Sequence, residues 1–341
     1  MTTSDDFSAL RDEFWQHYSA ARHQEALAVA QRAWDSFPER RGYAWVFLAV
    51  GHCGLGRADA ALEVLERAES ENHLWRLQLL RLPELESLRA DPRFDALTKR
   101  AQARVASRNF RARLLLAEPE PETTSPTLLL GLHGATSTAA EYHAHWLPAT
   151  RLGCVVASPQ SSQPATESAF CWDDRSQVRR DLESVIDKLP EHAEIVLTGF
   201  SQGAQVALEL ALTGDLVPAA GVIAVAPSFP PPERLPDSTS TLKVEIVYGT
   251  GDSWGRTVPA TAEALRRRGH RVTVQELPGL GHDFPPDFAG RLPALLRDHQ
   301  RLAVEEALAS FEEHQPRFRT RVLALHGIPD RSGRRCIECR W

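Results

Sequence analysis

The chain changes rhythm once. Up to about residue 106, apolar side chains recur every three or four positions among many Ala, Leu, Glu and Arg, the pattern of amphipathic helices. Within that stretch "EALAVAQRAWDSFPE" (Glu25 to Glu39) aligns with "AALEVLERAESENH" (Ala60 to His73), 35 residues further on. Ala26, Ala30 and Ala33 then fall on Ala61, Leu65 and Ala68, where small residues let antiparallel helices approach closely. A period of about 34 residues is that of stacked helix-turn-helix repeats. "LRADPRFDALTKRAQARV" reads as a closing segment, so residues 1–106 are expected to form an all-α helical-repeat domain.

From residue 107 the pattern shortens. "FRARLLLAE", "TLLLGLHG", "CVVASPQ", "EIVLTGFS", "GVIAVAPS", "KVEIVYGTGD" and "RVTVQELPG" are apolar runs of strand length ending in turn residues. Helical stretches such as "RSQVRRDLESVIDKL" and "VPATAEALRRRG" separate most of them. Alternation of this kind predicts an α/β domain over 107–300, a mostly parallel sheet with helices on both faces. The remainder, 301–341, reads as a C-terminal helix and a disordered basic tail, with seven arginines against two acids from Pro316 to Trp341.

Composition narrows the function classes. The 341-residue chain carries a net charge of −6, which gives no electrostatic case for nucleic acid. "MTTSDDFSALRDEF" has neither the basic nor the apolar region of a signal peptide, and no apolar run is long enough to span a membrane. Five cysteines, an odd number scattered over the chain, suit free thiols in a reducing compartment, so a cytoplasmic protein is expected. The pair in "CIEC" (Cys336 and Cys339) lacks the second pair of a zinc site. His143 and His145 have no carboxylate or cysteine cluster beside them, so no metal is expected there.

In parallel sheets chemistry collects where strands end. Gly199-Phe200-Ser201-Gln202-Gly203 lies where a strand pattern turns into a helix pattern. A turn this tight leaves no room for a Cβ at the flanking positions, lifts the Ser201 hydroxyl above the sheet and starts a helix at Gln202. A serine at its ordinary pKa needs a base, and the base needs a carboxylate to orient it. Asp252 in "VEIVYGTGDSWGRTVP" and His282 in "VQELPGLGHDF" follow in that order, each after a strand. Asp252 as a plain turn former and His282 as a surface loop residue are the weaker readings; Asp283, adjacent to His282, is a poor rival for the acid. A negative oxygen in the intermediate calls for two backbone N–H donors, and Gln202 and Ala135 (in "LLLGLHGATS") are the candidates. His133 reads as a brace for that loop. Trp172, Trp254 and Phe284 are candidates for lining the substrate pocket.

Two resemblances follow. "GYAWVFLAVGHCGLGRADAALEVLERA" resembles a tetratricopeptide repeat at Trp45, Leu48, Ala61 and Ala68, with Pro38 at the terminal proline, but with Ala49 and His52 where glycine and tyrosine are usual. "LHGATS", "GFSQG", "GTGDSWGRTVP" and "GLGHDF" together look like the α/β-hydrolase superfamily, and within it the phospholipase/carboxylesterase group that includes the acyl-protein thioesterases. The resemblance covers about residues 110–300 and departs from that group in the longer "SWGRT" gap before Val258-Pro259 and in the helical N-terminal domain. It implies a Ser–Asp–His triad, an acyl-enzyme and no metal or organic cofactor. The expected activity is that of a serine carboxylesterase on small-molecule esters; a thioesterase or peptidase would use the same parts. The alternative from another class is a helical-repeat scaffold carrying a non-catalytic hydrolase-like binding module. No long insertion interrupts the strands, so the N-terminal helices are the best candidates to cover the site; partner binding and self-association are their competing uses.

Overall fold

The computed structural model describes residues 4–299 apart from 72, 74–76, 120–125, 167, 190–193, 239 and 298. The expectations for 301–341, including Cys336 and Cys339, lie outside the described residues.

The N-terminal region is all helix. α1 (Ser4–Ser19), α2 (His23–Ser36), α3 (Arg41–Gly54) and α4 (Ala58–Ser70) pack each on the next. After the short α5 (Leu77–Leu80), α6 (Pro92–Ser107) returns against α4. Ala26, Ala30, Ala33, Ala61, Leu65 and Ala68 are all buried, so the two aligned segments present their small faces inward. Phe14, Trp45, Phe47, Leu62 and Leu85 fill the core between them. α6 starts where the sequence says it should: Asp91 caps it by accepting from Arg93 N, and Pro92 occupies the first turn.

The sheet contains β1 (Arg113–Ala117), β2 (Thr127–Leu132), β3 (Cys154–Gln160), β6 (Ile195–Phe200), β7 (Gly221–Val225), β8 (Lys243–Gly249) and β9 (Arg271–Leu277), in the order β1-β3-β2-β6-β7-β8-β9. β4 (Gln163–Pro164) and β5 (Phe170–Cys171) form a separate two-stranded ribbon. All neighbours in the large sheet are parallel except β1, which runs antiparallel to β3. The connection 118–126 is too short for the helical crossover that a parallel β1 would need.

Both faces of the sheet are covered, which explains runs that are continuously apolar. Leu128, Leu130 and Leu132 of β2 face a core shared with α8 (Arg175–Ile186), α9 (Gln202–Thr213) and α10 (Val258–Arg267). Leu129 points to the other face, where α7 (Ala139–Trp146) and a last helix, α11 (residues 288–297), supply Tyr142, Trp146, Phe288 and Leu292. No helix of the described residues is long and apolar enough to cross a membrane. Among the described residues, Cys53, Cys154 and Cys171 form no disulfide.

Candidate active site

The serine sits on a turn that only a fixed framework can hold. Ser201 has φ 53° and ψ −118°, in the region that L-residues avoid. Its N–H donates to Val225 O (3.0 Å), and its carbonyl accepts from Gln205 N (3.2 Å) and Ser228 N (3.3 Å). The flanking glycines are required by approach distance. A Cβ on Gly199 would lie 2.5 Å from Gly203 O, and one on Gly203 would lie 2.5 Å from His133 O and nearer still to Leu132 O. α9 can therefore press against the end of β2 and bring Ser201 to the loop that follows it.

Asp252 and His282 come from the next two strand ends, and those loops are joined. Gly251 N donates to Leu280 O (2.9 Å), Thr250 N to Leu277 O (2.9 Å) and Gly279 N to Thr250 Oγ1 (2.8 Å). The Asp252 side chain is fully buried; Oδ1 accepts from Trp254 N and Oδ2 lies 2.8 Å from His282 Nδ1. His282 Nε2 is 2.8 Å from Ser201 Oγ. A carboxylate can only accept at Nδ1, so the proton belongs there and the Nε2 lone pair faces the hydroxyl. The structure thus brings Ser201, His282 and Asp252 into one chain of hydrogen bonds. Asp283 does not enter it: its carboxylate accepts from Phe284 N (2.6 Å).

Gln202 is the first residue of α9, where the helix leaves its N–H without an intrahelical acceptor. Ala135 lies on the loop after β2, and a cavity of about 130 Å³ opens between it and His282. Neither N–H donates to a protein acceptor among the described residues. The Gln202 side chain ties the elbow to the neighbouring loop, with Oε1 accepting from Trp172 N (2.8 Å) and Nε2 donating to Asp173 (2.7 Å).

His133 is fully buried and its tautomer follows from its partners. Ala139 N donates to Gln160 Oε1 (2.9 Å), which turns the Gln160 amide nitrogen towards His133 Nε2 (3.1 Å). Ser161 N donates to the same nitrogen (3.3 Å), so the proton is on Nδ1, which donates to Gly134 O (2.8 Å). Burial lowers its pKa from 6.5 to about 4, and both donors at Nε2 oppose a second proton. The loop ends in a capping box between Thr138 and Glu141 that opens α7.

The three aromatic candidates lie outside the set of described residues that line this cavity, each in a different setting. Trp172 is fully buried, and its indole N–H donates to His133 O (2.8 Å). Phe284 stacks on Phe200 and His145 in the core under the loop. Trp254 is 56% exposed, its ring 6.4 Å from His282 on the solvent side. His143 and His145 part company, one hydrogen-bonded to Ser158 Oγ and the other stacked on Phe284. Sequence reasoning missed Phe7, Arg11, Arg40 and Tyr43, which line the cavity from the helical region. It also missed Gln160, for which a polar residue at a buried strand's carboxyl end was the available signal.

A mostly parallel sheet covered on both faces, with a serine elbow after a central strand and acid and histidine after later ones, defines an α/β-hydrolase fold, here preceded by an all-helical region. Residues 168–299 match the phospholipase/carboxylesterase family. Among solved structures, an uncharacterized protein from Bacillus cereus is 21% identical, with a TM-score of 0.48 over 85% of this chain and 97% of its own. Esterase PE8 is 18% identical (TM-score 0.48, 55% of this chain and 99% of its own). Acyl-protein thioesterase 2 of Zea mays is 17% identical (TM-score 0.44, 55% and 98%). No curated protein matches the chain.

Proposed function

We propose that the protein is a serine hydrolase that cleaves carboxylic esters of small molecules through an acyl-enzyme, working in a reducing, cytoplasmic compartment. One observation carries the reading: the two 2.8 Å hydrogen bonds that run from Ser201 Oγ through His282 to Asp252. In this reading Ser201 Oγ attacks the ester carbonyl carbon while its proton passes to His282 Nε2. Asp252 holds Nδ1–H in place and stabilises the imidazolium. The N–H groups of Gln202 and Ala135 receive the negative oxygen of the tetrahedral intermediate, each such donor contributing roughly 3 kcal/mol. His282 then returns the proton to the departing alcohol. Water, deprotonated by the same imidazole, releases the acid and restores the serine. None of these steps calls for a metal or an organic cofactor. The family match over residues 168–299 supports the class of reaction.

The test is covalent labelling by a fluorophosphonate together with hydrolysis of p-nitrophenyl esters and their thioester analogues. The full chain should label and turn over esters faster than thioesters, and Ser201→Ala should do neither. Wild-type labelling no greater than that of Ser201→Ala would leave a binding module in place of an enzyme.

A further inference from the structure

The cavity beside His282 has walls from two parts of the chain. Ala135 and its loop supply one; Phe7 and Arg11 of α1, Arg40 just before α3 and Tyr43 within it supply the other. Phe7 and Arg11 are one helical turn apart and share a face. Tyr43 meets Phe7 edge to face at 6.2 Å, and the buried Phe37 and Phe47 back them at 5.3 Å and 5.0 Å. The aromatic wall therefore rests on the core of the helical region.

Arg40 fastens this wall to the opposite one. Its guanidinium donates to Glu141 Oε1 (3.1 Å) and to Thr136 O (3.3 Å). Glu141 is held in turn, its Oε2 accepting from Ser137 Oγ (2.7 Å) and Thr138 N (3.1 Å). Thr136, at φ 60°, directly follows Ala135. The loop that faces the serine and the helices that face the loop are thus one connected structure.

We propose that the N-terminal helices form a fixed wall of the substrate pocket, that Phe7 and Tyr43 limit the size of the ester group lying against them, and that Arg40 pins the wall in place. This rests on the esterase reading above. An engineered cavity of about 150 Å³ holds a benzene ring, so the roughly 130 Å³ here takes a group of about six heavy atoms or fewer. Compact esters, short-chain or small-ring, are therefore the preferred substrates, and long-chain acyl groups are disfavoured.

The experiment uses the full chain, p-nitrophenyl esters with acyl chains of about two to twelve carbons, and acetates of alcohols spanning the same lengths. Wild type should favour groups of about four to six carbons on at least one side of the ester, with kcat/KM falling at least about tenfold by ten carbons. Phe7→Ala combined with Tyr43→Ala should raise the ten-carbon to four-carbon ratio of kcat/KM at least about tenfold. Phe7→Trp, a mild change that keeps the aromatic contacts, should move the optimum to shorter groups. Arg40→Gln should flatten the length profile, and Arg40→Lys, which can still reach Glu141, should keep most of it. A length profile that stays the same in the Phe7 and Tyr43 variants of a chain that hydrolyses esters would overturn the wall and leave the esterase standing. A wild type that neither labels nor hydrolyses would overturn both.

Discussion

Neutral His133 makes the stability of this protein depend on pH in a way that can be isolated. The imidazole is inaccessible, donates from Nδ1 to Gly134 O and accepts at Nε2 from Gln160 and Ser161, so a second proton has nowhere favourable to go. Its pKa falls from 6.5 to about 4 because burial opposes the charged form. A pKa depressed by folding gives stability that is complete above the unfolded value and lost as pH falls towards the folded one. The window is therefore about pH 6.5 down to 4, over which two and a half units at about 1.4 kcal/mol each amount to about 3–4 kcal/mol. Between about pH 7.5 and pH 5, before most carboxylates titrate, the loss from this group is about 2 kcal/mol. The perturbation is His133→Asn, and the assay is urea unfolding of wild type and variant at both pH values. His52, His143 and His270, whose pKa values burial also lowers, act in the same direction in both proteins and cancel in the comparison. The variant should be less stable at both pH values, and its deficit should shrink by about 2 kcal/mol on going to pH 5. A deficit that stays constant would show that His133 takes up its proton in the folded state as readily as in the unfolded chain, and the network argument would fail.

Two further substitutions probe the framework around the serine. Gly203→Ala sets a methyl carbon against the carbonyls of Leu132 and His133, backbone atoms that cannot swing aside. It should cost about 3 kcal/mol or more in urea unfolding and displace Ser201 enough to slow fluorophosphonate labelling; wild-type behaviour in both would refute the close approach of α9 to β2. Trp172→Phe removes the indole donor from the buried His133 carbonyl and should cost about 1–3 kcal/mol; a neutral result would mean that the carbonyl has another donor.

The α/β half was legible because each of its elements announces itself locally. Seven apolar runs bounded by turn residues became the seven strands of the large sheet, and the glycines of "GFSQG" mark the strand-to-helix turn because a side chain at either would collide with the backbone of Ala204 or Leu132. That Ser201, Asp252 and His282 would meet could be anticipated because each follows a strand, in an order that carries all three to the same edge of the sheet. Two kinds of information were not local. The reversed direction of β1 follows from the length of the connection to β2 and from which edge is vacant, not from the residues of the strand itself. The helical wall was harder still: Phe7, Arg11, Arg40 and Tyr43 look like ordinary positions of amphipathic helices, and only the tertiary arrangement turns them towards His282. The setting of Trp172 was not local either, since an aromatic beside a strand-end loop reads the same whether its N–H faces a cavity or, as here, the carbonyl of His133.

Arg40 reaches across from the helices to the carbonyl of Thr136, and this has a consequence for how the molecule can diversify. The groups that would make and break bonds are encoded late in the chain; one of the two walls that would face what enters is encoded within its first 43 positions. If the proposed wall holds, mutations in the early stretch would re-tailor the choice of molecule while Ser201, His282 and Asp252 stay as they are. A lineage built on this plan could change its diet by editing one end of its gene and leave the machinery at the other end untouched.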